Sequence, residues 1–228
     1  MYLKYLIAII SLVLILLSIM AIFFYAPIEQ TMGIVQKIFY FHVASAWNGF
    51  LAFGVVFVCS ILFLWKKKES FDSWAYCAAE IGVLFTSLVL LTGPMWAKPV
   101  WNTYWTWDPR LTTTLILWLI YIGYLLLRNM IASPEKAARI SAVYGIIGFV
   151  DVPIVYLSIR LWRTMHPGYV MIMGGKNSGL DPRMFQVLML SIAAFTFLFI
   201  TLLLIRVDIE KMIKSIDQFR KNFSRGSK

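Results

Sequence analysis

The sequence contains only two histidines, and a tryptophan-rich stretch lies between them. His42 occurs in KIFYFHVASAW and His166 in RLWRTMHPG. The intervening stretch WAKPVWNTYWTWDPR, residues 96–110, holds four of the nine tryptophans of the chain. Two neutral imidazoles can occupy both axial positions of a haem iron, and aromatic faces stack well on a flat apolar macrocycle. Zinc fits less well because its sites usually need three or four protein ligands. These residues therefore predict a haem site with His42 and His166 as iron ligands.

The other candidate residues surround the tryptophan-rich stretch. Haem carries two carboxylates that need cationic or hydrogen-bonding partners near a bilayer. Each candidate also has an ordinary explanation: tryptophans form interfacial belts, and interfacial lysines and arginines snorkel. Asp108 is placed to cap a helix that begins near Leu111, which Pro109 at an early helical position supports. Pro99 and Pro109 predict that no long regular helix runs through the stretch. The candidates are Trp96, Trp101, Tyr104, Trp105 and Trp107 for stacking, Lys37, Lys98 and Arg110 for the carboxylates, and Asp108 for shaping the loop.

The composition indicates the kind of scaffold that must hold these residues. The chain has 228 residues, of which 61% are hydrophobic and 14% charged, with a mean hydropathy of +0.78. A soluble domain is about half apolar and about a quarter charged. Six nearly uncharged segments are each long enough to cross a bilayer core of about 30 Å. The sequence thus predicts a single-domain, all-α integral membrane protein (1–228) whose six helices span 5–25, 39–65, 74–92, 111–127, 140–159 and 184–205.

The charges of the connections predict the orientation. The connections on one side hold fourteen lysines and arginines and those on the other side seven, so we expect both termini in the cytoplasm. His42, His166 and the tryptophan-rich loop between helices 3 and 4 then share the outer face. The first segment is longer than the apolar region of a signal peptide, which favours a retained helix. Much of the net charge of +10 follows from this asymmetry, and nucleic-acid binding is not expected.

The remaining polar residues predict less. Residues 206–228 read as a basic amphipathic cytoplasmic tail that lies on anionic lipid or, alternatively, docks a cytoplasmic partner. Cys59 and Cys77 form no C-x-x-C pair, so neither thiol exchange nor covalent haem attachment is expected. Asp151 precedes Pro153 within the fifth segment, and Glu80 lies within the third, near the cytoplasmic lysines. Neither carboxylate supports a mechanistic role.

The run GPMWAKPVWNTYWTWDPRLT, residues 93–112, resembles the WWD signature of haem-handling proteins in cytochrome c biogenesis. Together with FHVASAW around His42 and VPIVYLSIRLWRTMH before His166, it makes most of the chain similar to the haem exporter protein C family of the cytochrome c maturation system. Two positions depart from the family pattern: Asn102 stands where glycine is usual, and Tyr104 where tryptophan is common.

The resemblance implies a haem transport and delivery protein rather than an enzyme. It implies that His42 and His166 are axial ligands, that the tryptophan loop is the platform, and that Arg110 and Lys37 contact the carboxylates or support the structure. Haem b is then a transported substrate. The implied partners are an ABC-type ATPase and permease, a small membrane subunit and a periplasmic haem chaperone, with membrane lipid around the helices of a multi-pass inner-membrane protein.

Two other functions remain open at this stage. A membrane b-type cytochrome would pass electrons through a bound haem, although transmembrane transfer usually needs more histidines at depth. A transporter of another flat or cationic molecule would use the tryptophans as a cation-π cage, and histidine would then be dispensable.

Overall fold

The described part of the chain is entirely helical apart from its connections. A computed structural model describes residues 2–30, 32–166 and 180–226. Six helical stretches within them are long and apolar enough to cross a membrane, which confirms the predicted six-span, all-α fold. The helices are α1 (Tyr2–Met20, extended by a π-helical turn Ala21–Tyr25), a 3-10 turn (Ile34–Lys37), α2 (Ile38–Lys66), α3 (Glu69–Trp101), α4 (Pro109–Met130), α5 (Pro134–Gly148), α6 (Asp151–Leu161) and α7 (Pro182–Gly226).

Helices α2 and α3 form the most extensive helix pair; α4, α5 and α7 pack against it, and α6 packs on α4. Close approach depends on small residues, because a Cβ added to Gly82 of α3 would lie 2.4 Å from the Phe53 ring of α2. Phe53 in turn stacks on Tyr121 of α4 with ring centroids 3.6 Å apart. On the other side, α1 lies along α7, where Ser18 and Ser191 share a buried hydrogen bond of 2.9 Å.

Helix α3 is longer than predicted. We expected it to end at residue 92 and the prolines to prevent a long helix, but it continues through Pro94 and Pro99 to Trp101. Each proline removes one hydrogen-bond donor, yet its fixed φ suits a helix. At membrane depth a helix satisfies the remaining backbone groups within the segment, which offsets these losses. Trp96, Lys98 and Trp101 are therefore on α3, and the loop itself is residues 102–108.

The fifth span is interrupted where the sequence predicted a continuous helix. Helix α5 ends at Gly148, and α6 begins at Asp151 after a two-residue turn. Asp151 is thus in the first turn of α6, where a carboxylate suits the helix dipole. Its Oδ2 is buried and makes no hydrogen bond within the described residues.

One end of the bundle carries both termini and a cluster of ion pairs; we call it the terminal end. Lys4 pairs with Asp208, which brings the start of α1 beside α7. Arg128 of α4 binds Asp72 of α3 through two hydrogen bonds, of 2.6 and 2.5 Å. Glu80 pairs with Arg206 of α7 at 2.7 Å rather than with a lysine. An even number of spans predicts this shared end for the termini.

Residues after 205 do not form a separate element. Helix α7 continues from its apolar part to Gly226 without a break, so the basic segment leaves the bundle as an extension of the sixth span. Its binding to anionic lipid or to a cytoplasmic partner stays a prediction. Seven lysines and arginines were predicted in the connections on the side of the membrane away from the termini. One of them, Lys176, lies outside the described residues.

Candidate haem site

A cavity of about 110 Å³ opens at the end of the bundle opposite the termini, which we call the cavity end. Helices α2, α3, α4 and α6 and the segment after α6 contribute to its wall. Most of the lining is apolar, with Phe50 and Val155 at deeper positions along their helices. The predicted site residues that line it are His42, His166, Trp96, Trp101, Trp105 and Arg110. The fold thus brings both histidines, three of the four tryptophans of the signature and its arginine to one cavity.

His42 projects from the second turn of α2 and is held by a side chain of α3. Its Nδ1 lies 2.9 Å from the Thr92 hydroxyl oxygen. The Thr92 hydroxyl has one proton and donates it to the Leu88 carbonyl oxygen at 2.7 Å, so it accepts from His42. Nδ1 is therefore the protonated nitrogen, and Nε2 carries the lone pair that a metal requires.

His166 is held through its backbone. Its N–H donates to the Thr164 hydroxyl oxygen at 3.0 Å. The Thr164 hydroxyl in turn lies 2.7 and 2.6 Å from the two carboxylate oxygens of Asp108. The Met165 N–H donates to the same carboxylate at 2.9 Å. Asp108 thereby fixes the segment that precedes His166 to the start of α4.

Asp108 also caps α4, as the sequence predicted, because its Oδ1 accepts from the Arg110 N–H at 2.9 Å. Burial by itself raises the pKa of Asp108, but the hydrogen bonds from Thr164, Met165 and the Arg110 amide outweigh it and hold the pKa below its ordinary value. The carboxylate is therefore ionised at neutral pH, and it accepts hydrogen bonds from two separate segments.

The aromatic residues of the signature divide into two groups. Trp96, Trp101 and Trp105 are partly buried and line the cavity, and Trp96 meets Trp101 edge to face at 5.8 Å. Tyr104 and Trp107 are 61% and 77% exposed and lie outside the lining. The Nε1 of Trp96 is buried and has no acceptor among the described residues.

The basic candidates also divide. Arg110 lines the cavity from the first turn of α4. Lys37 instead donates to the Phe23 carbonyl oxygen at 3.0 Å, at the end of the π-helical turn. Lys98 donates to the Asn102 carbonyl and side-chain oxygens at 3.0 and 3.2 Å, where it complements the C-terminus of α3. Neither lysine lines the cavity, so a bound carboxylate would have to draw it away from these carbonyl groups.

Asn102, where the resemblance predicts glycine, adopts a backbone conformation that glycine also adopts readily. It follows α3 with φ 54° and ψ 18°, the left-handed conformation that commonly ends helices. Asparagine tolerates this conformation better than most residues other than glycine. The loop therefore turns at this residue without needing glycine there.

Sequence reasoning missed Thr92 and Thr164. A threonine in a helix or loop usually bonds its own backbone, so its residue type does not indicate a distant partner. The available signal was proximity in sequence: Thr92 directly precedes the signature, and Thr164 is two residues before His166. Among the described residues, no group of three or more His, Cys, Asp or Glu side chains could hold a metal ion.

Comparison with known proteins gives one consistent result. A family model described as Heme exporter protein C matches residues 2–222. A Heme exporter protein C from Bradyrhizobium diazoefficiens is 42% identical over 178 residues, which cover 78% of this chain and 67% of that protein. Proteins of the same name from Rhodobacter capsulatus and Escherichia coli K12 are 34% and 33% identical, over 86% and 81% of this chain and 82% and 74% of theirs.

Proposed function

The chain belongs to the Heme exporter protein C family, and from this membership and the cavity we propose that it binds haem at the outer face of the cytoplasmic membrane and delivers it for cytochrome c maturation. The observation that carries the proposal is that both histidines of the chain line one cavity together with three tryptophans. Haem is the substrate here, and no reaction on it is required.

The wall of the cavity suits the parts of a haem. The apolar lining and the faces of Trp96, Trp101 and Trp105 match the macrocycle. Arg110 supplies a guanidinium for carboxylates. The lone pair on Nε2 of His42 is available to iron, because Thr92 accepts the proton of Nδ1.

The size of the cavity supports transfer rather than permanent storage. Pockets that bury a whole small molecule are usually about 300–1,000 Å³, whereas this cavity is about 110 Å³. A haem bound here would keep part of its ring outside the cavity, and the signature loop carries two exposed rings, Tyr104 and Trp107, that could contact it. A ring edge at the rim is accessible to a chaperone that offers its own ligand, and the two imidazoles retain the iron until that exchange.

The resemblance also suggests the partners. We propose that the chain works with an ABC-type ATPase and permease and a small membrane subunit, and that a periplasmic haem chaperone receives the haem b. The described helices place the cavity end opposite both termini, so cytoplasmic termini would direct the cavity to the periplasm.

The test is the absorption spectrum of the purified protein and its histidine variants. We expect the wild type to carry six-coordinate haem, and His42→Ala and His166→Ala each to lose most of it or to become five-coordinate. Unchanged spectra in both variants would favour the aromatic cage. Reversible reduction by a quinol without transfer to a chaperone would instead favour a cytochrome.

A further inference from the structure

Thr92 and Thr164 each connect a cavity histidine to a different part of the scaffold. Thr92 contacts the ring of His42, and Thr164 contacts the backbone of His166. Neither threonine lines the cavity. From these contacts, and resting on the proposed function, we propose that both threonines are positioning residues for a shared iron: Thr92 orients the ring of His42, and Thr164 places the backbone of His166.

The Thr92 contact fixes the rotation of the His42 ring. An imidazole can flip about its χ2 torsion and exchange its two nitrogens, and a hydrogen bond at Nδ1 selects one of these states. Thr92 is itself fixed because its hydroxyl donates to Leu88 within α3. The His42 ring also lies close to the backbone at Gly93, since a Cβ added there would lie 3.4 Å from the Cε1 of His42. The ring thus rests against α3 with Nε2 as its remaining ligand atom.

The same hydrogen bond changes the ligand chemistry. An imidazole that donates its second N–H becomes a more basic metal ligand. A more basic ligand favours ferric over ferrous iron. Thr92 is therefore expected to lower the reduction potential of a bound haem as well as to place His42.

The Thr164 contact works through a chain of three groups. Asp108 accepts from the Thr164 hydroxyl, and the Thr164 oxygen accepts from the His166 N–H. Asp108 is 8% exposed and also caps α4, so the chain starts from a fixed point. Thr164 connects the backbone of His166 to the helix that carries Arg110. It therefore sets the location of the imidazole and leaves the electron donation of its nitrogens unchanged.

The experiment compares valine and serine variants of the full chain, purified in detergent and loaded with haemin. Thr92→Val and Thr164→Val keep the side-chain shape but remove the hydroxyl, whereas Thr92→Ser and Thr164→Ser keep the hydroxyl. Thr196→Val is the matched control, because Thr196 also donates to its own helix, at 2.8 Å, and lies on α7 away from the cavity. Haem dissociation rate, coordination state and reduction potential are measured for each.

The two sites have different expected results. Thr92→Val should raise the reduction potential and weaken haem binding about 10-fold or more, as removal of an outer hydrogen bond to a metal ligand usually does. Thr164→Val should increase the five-coordinate fraction and the dissociation rate. The serine variants and Thr196→Val should match the wild type. Thr92→Ala and Thr164→Ala repeat the test if a valine variant does not accumulate.

Specific results would overturn the proposal. If Thr92→Val keeps the wild-type reduction potential and haem dissociation rate, Thr92 is not a positioning residue. If the haem of Thr164→Val stays six-coordinate, Thr164 is not one. Serine variants as defective as the valine variants would show that the hydroxyls are not what matters. A wild type that binds no haem would overturn the proposed function itself and this proposal with it.

Discussion

At the scale of single residues, the backbone conformation of Asn102 determines where the signature loop leaves α3. The left-handed conformation at φ 54° ends the helix, and the Lys98 amine binds the carbonyl oxygen that the helix leaves open. Asparagine tolerates this conformation better than most residues other than glycine. A residue with a branched Cβ would not fit at position 102, because its side chain collides with its own carbonyl group in this conformation.

We predict that Asn102→Gly retains the wild-type thermal stability and haem content, and that Asn102→Val lowers the free energy of unfolding by about 1–2 kcal/mol. The measurement is the thermal unfolding midpoint of the purified protein, with haem absorbance recorded in parallel. Equal midpoints for the glycine and valine variants would show that residue 102 does not hold the left-handed conformation.

At the scale of helices, the pairing of α2 and α3 matters most because these helices carry His42 and Thr92. The pair approaches closely at Gly82, where the Phe53 ring occupies the space of a missing side chain. Phe53 has little room to move, since it stacks nearly parallel on Tyr121 with an interplanar angle of 9°. Any added atom at position 82 must therefore separate the helices, and the 2.9 Å contact between His42 and Thr92 depends on their separation.

We predict that Gly82→Ala destabilises the protein by about 1–3 kcal/mol, the usual cost of overpacking a filled core. It should also increase the haem dissociation rate. Gly54→Ala is the control, because a Cβ there meets its nearest atom, Cε2 of Phe149, at an ordinary 4.0 Å. The comparison is made by thermal unfolding of both variants. If Gly54→Ala is as unstable as Gly82→Ala, helix-backbone effects explain the change and the contact with Phe53 does not.

At the scale of the whole molecule, the two ends of the bundle are chemically different. The terminal end is joined by ion pairs among α1, α3, α4 and α7, including the largely buried pair of Asp72 and Arg128. The cavity end instead combines aromatic rings, both histidines and the hydrogen bonds of Asp108. Ionic contacts therefore join the helices at one end, whereas the other end leaves a small open cavity between them.

We predict that the cavity end faces out of the cytoplasm. The test introduces single cysteines in a background without Cys59 and Cys77, which are free thiols in the chain. Ile28, 66% exposed in the segment that precedes α2, marks the cavity end, and Phe219, 72% exposed on α7, marks the terminal end. A membrane-impermeant thiol reagent added to intact cells should label Ile28→Cys, and should label Phe219→Cys only after permeabilisation. The opposite pattern would reverse the orientation.

The sequence by itself determined the six apolar spans, the end shared by the termini and the residue types of the site. These properties follow from hydropathy, from an even number of crossings and from the rarity of histidine, and each can be read without knowing which helices touch. The cap at Asp108 was also predictable, because capping is local.

Only the tertiary structure decided which residues meet. Thr92 and His42 lie 50 residues apart in the chain, and Asp108 and Thr164 lie 56 apart, so no local pattern could pair them. The same holds for the lysines: Lys37 and Lys98 carry the expected charge, but nearby carbonyl groups engage their amines away from the cavity wall. Residue type indicates what a side chain can bind, whereas its actual partner depends on helix packing, which is set by contacts such as Gly82 against Phe53 that are distant in sequence.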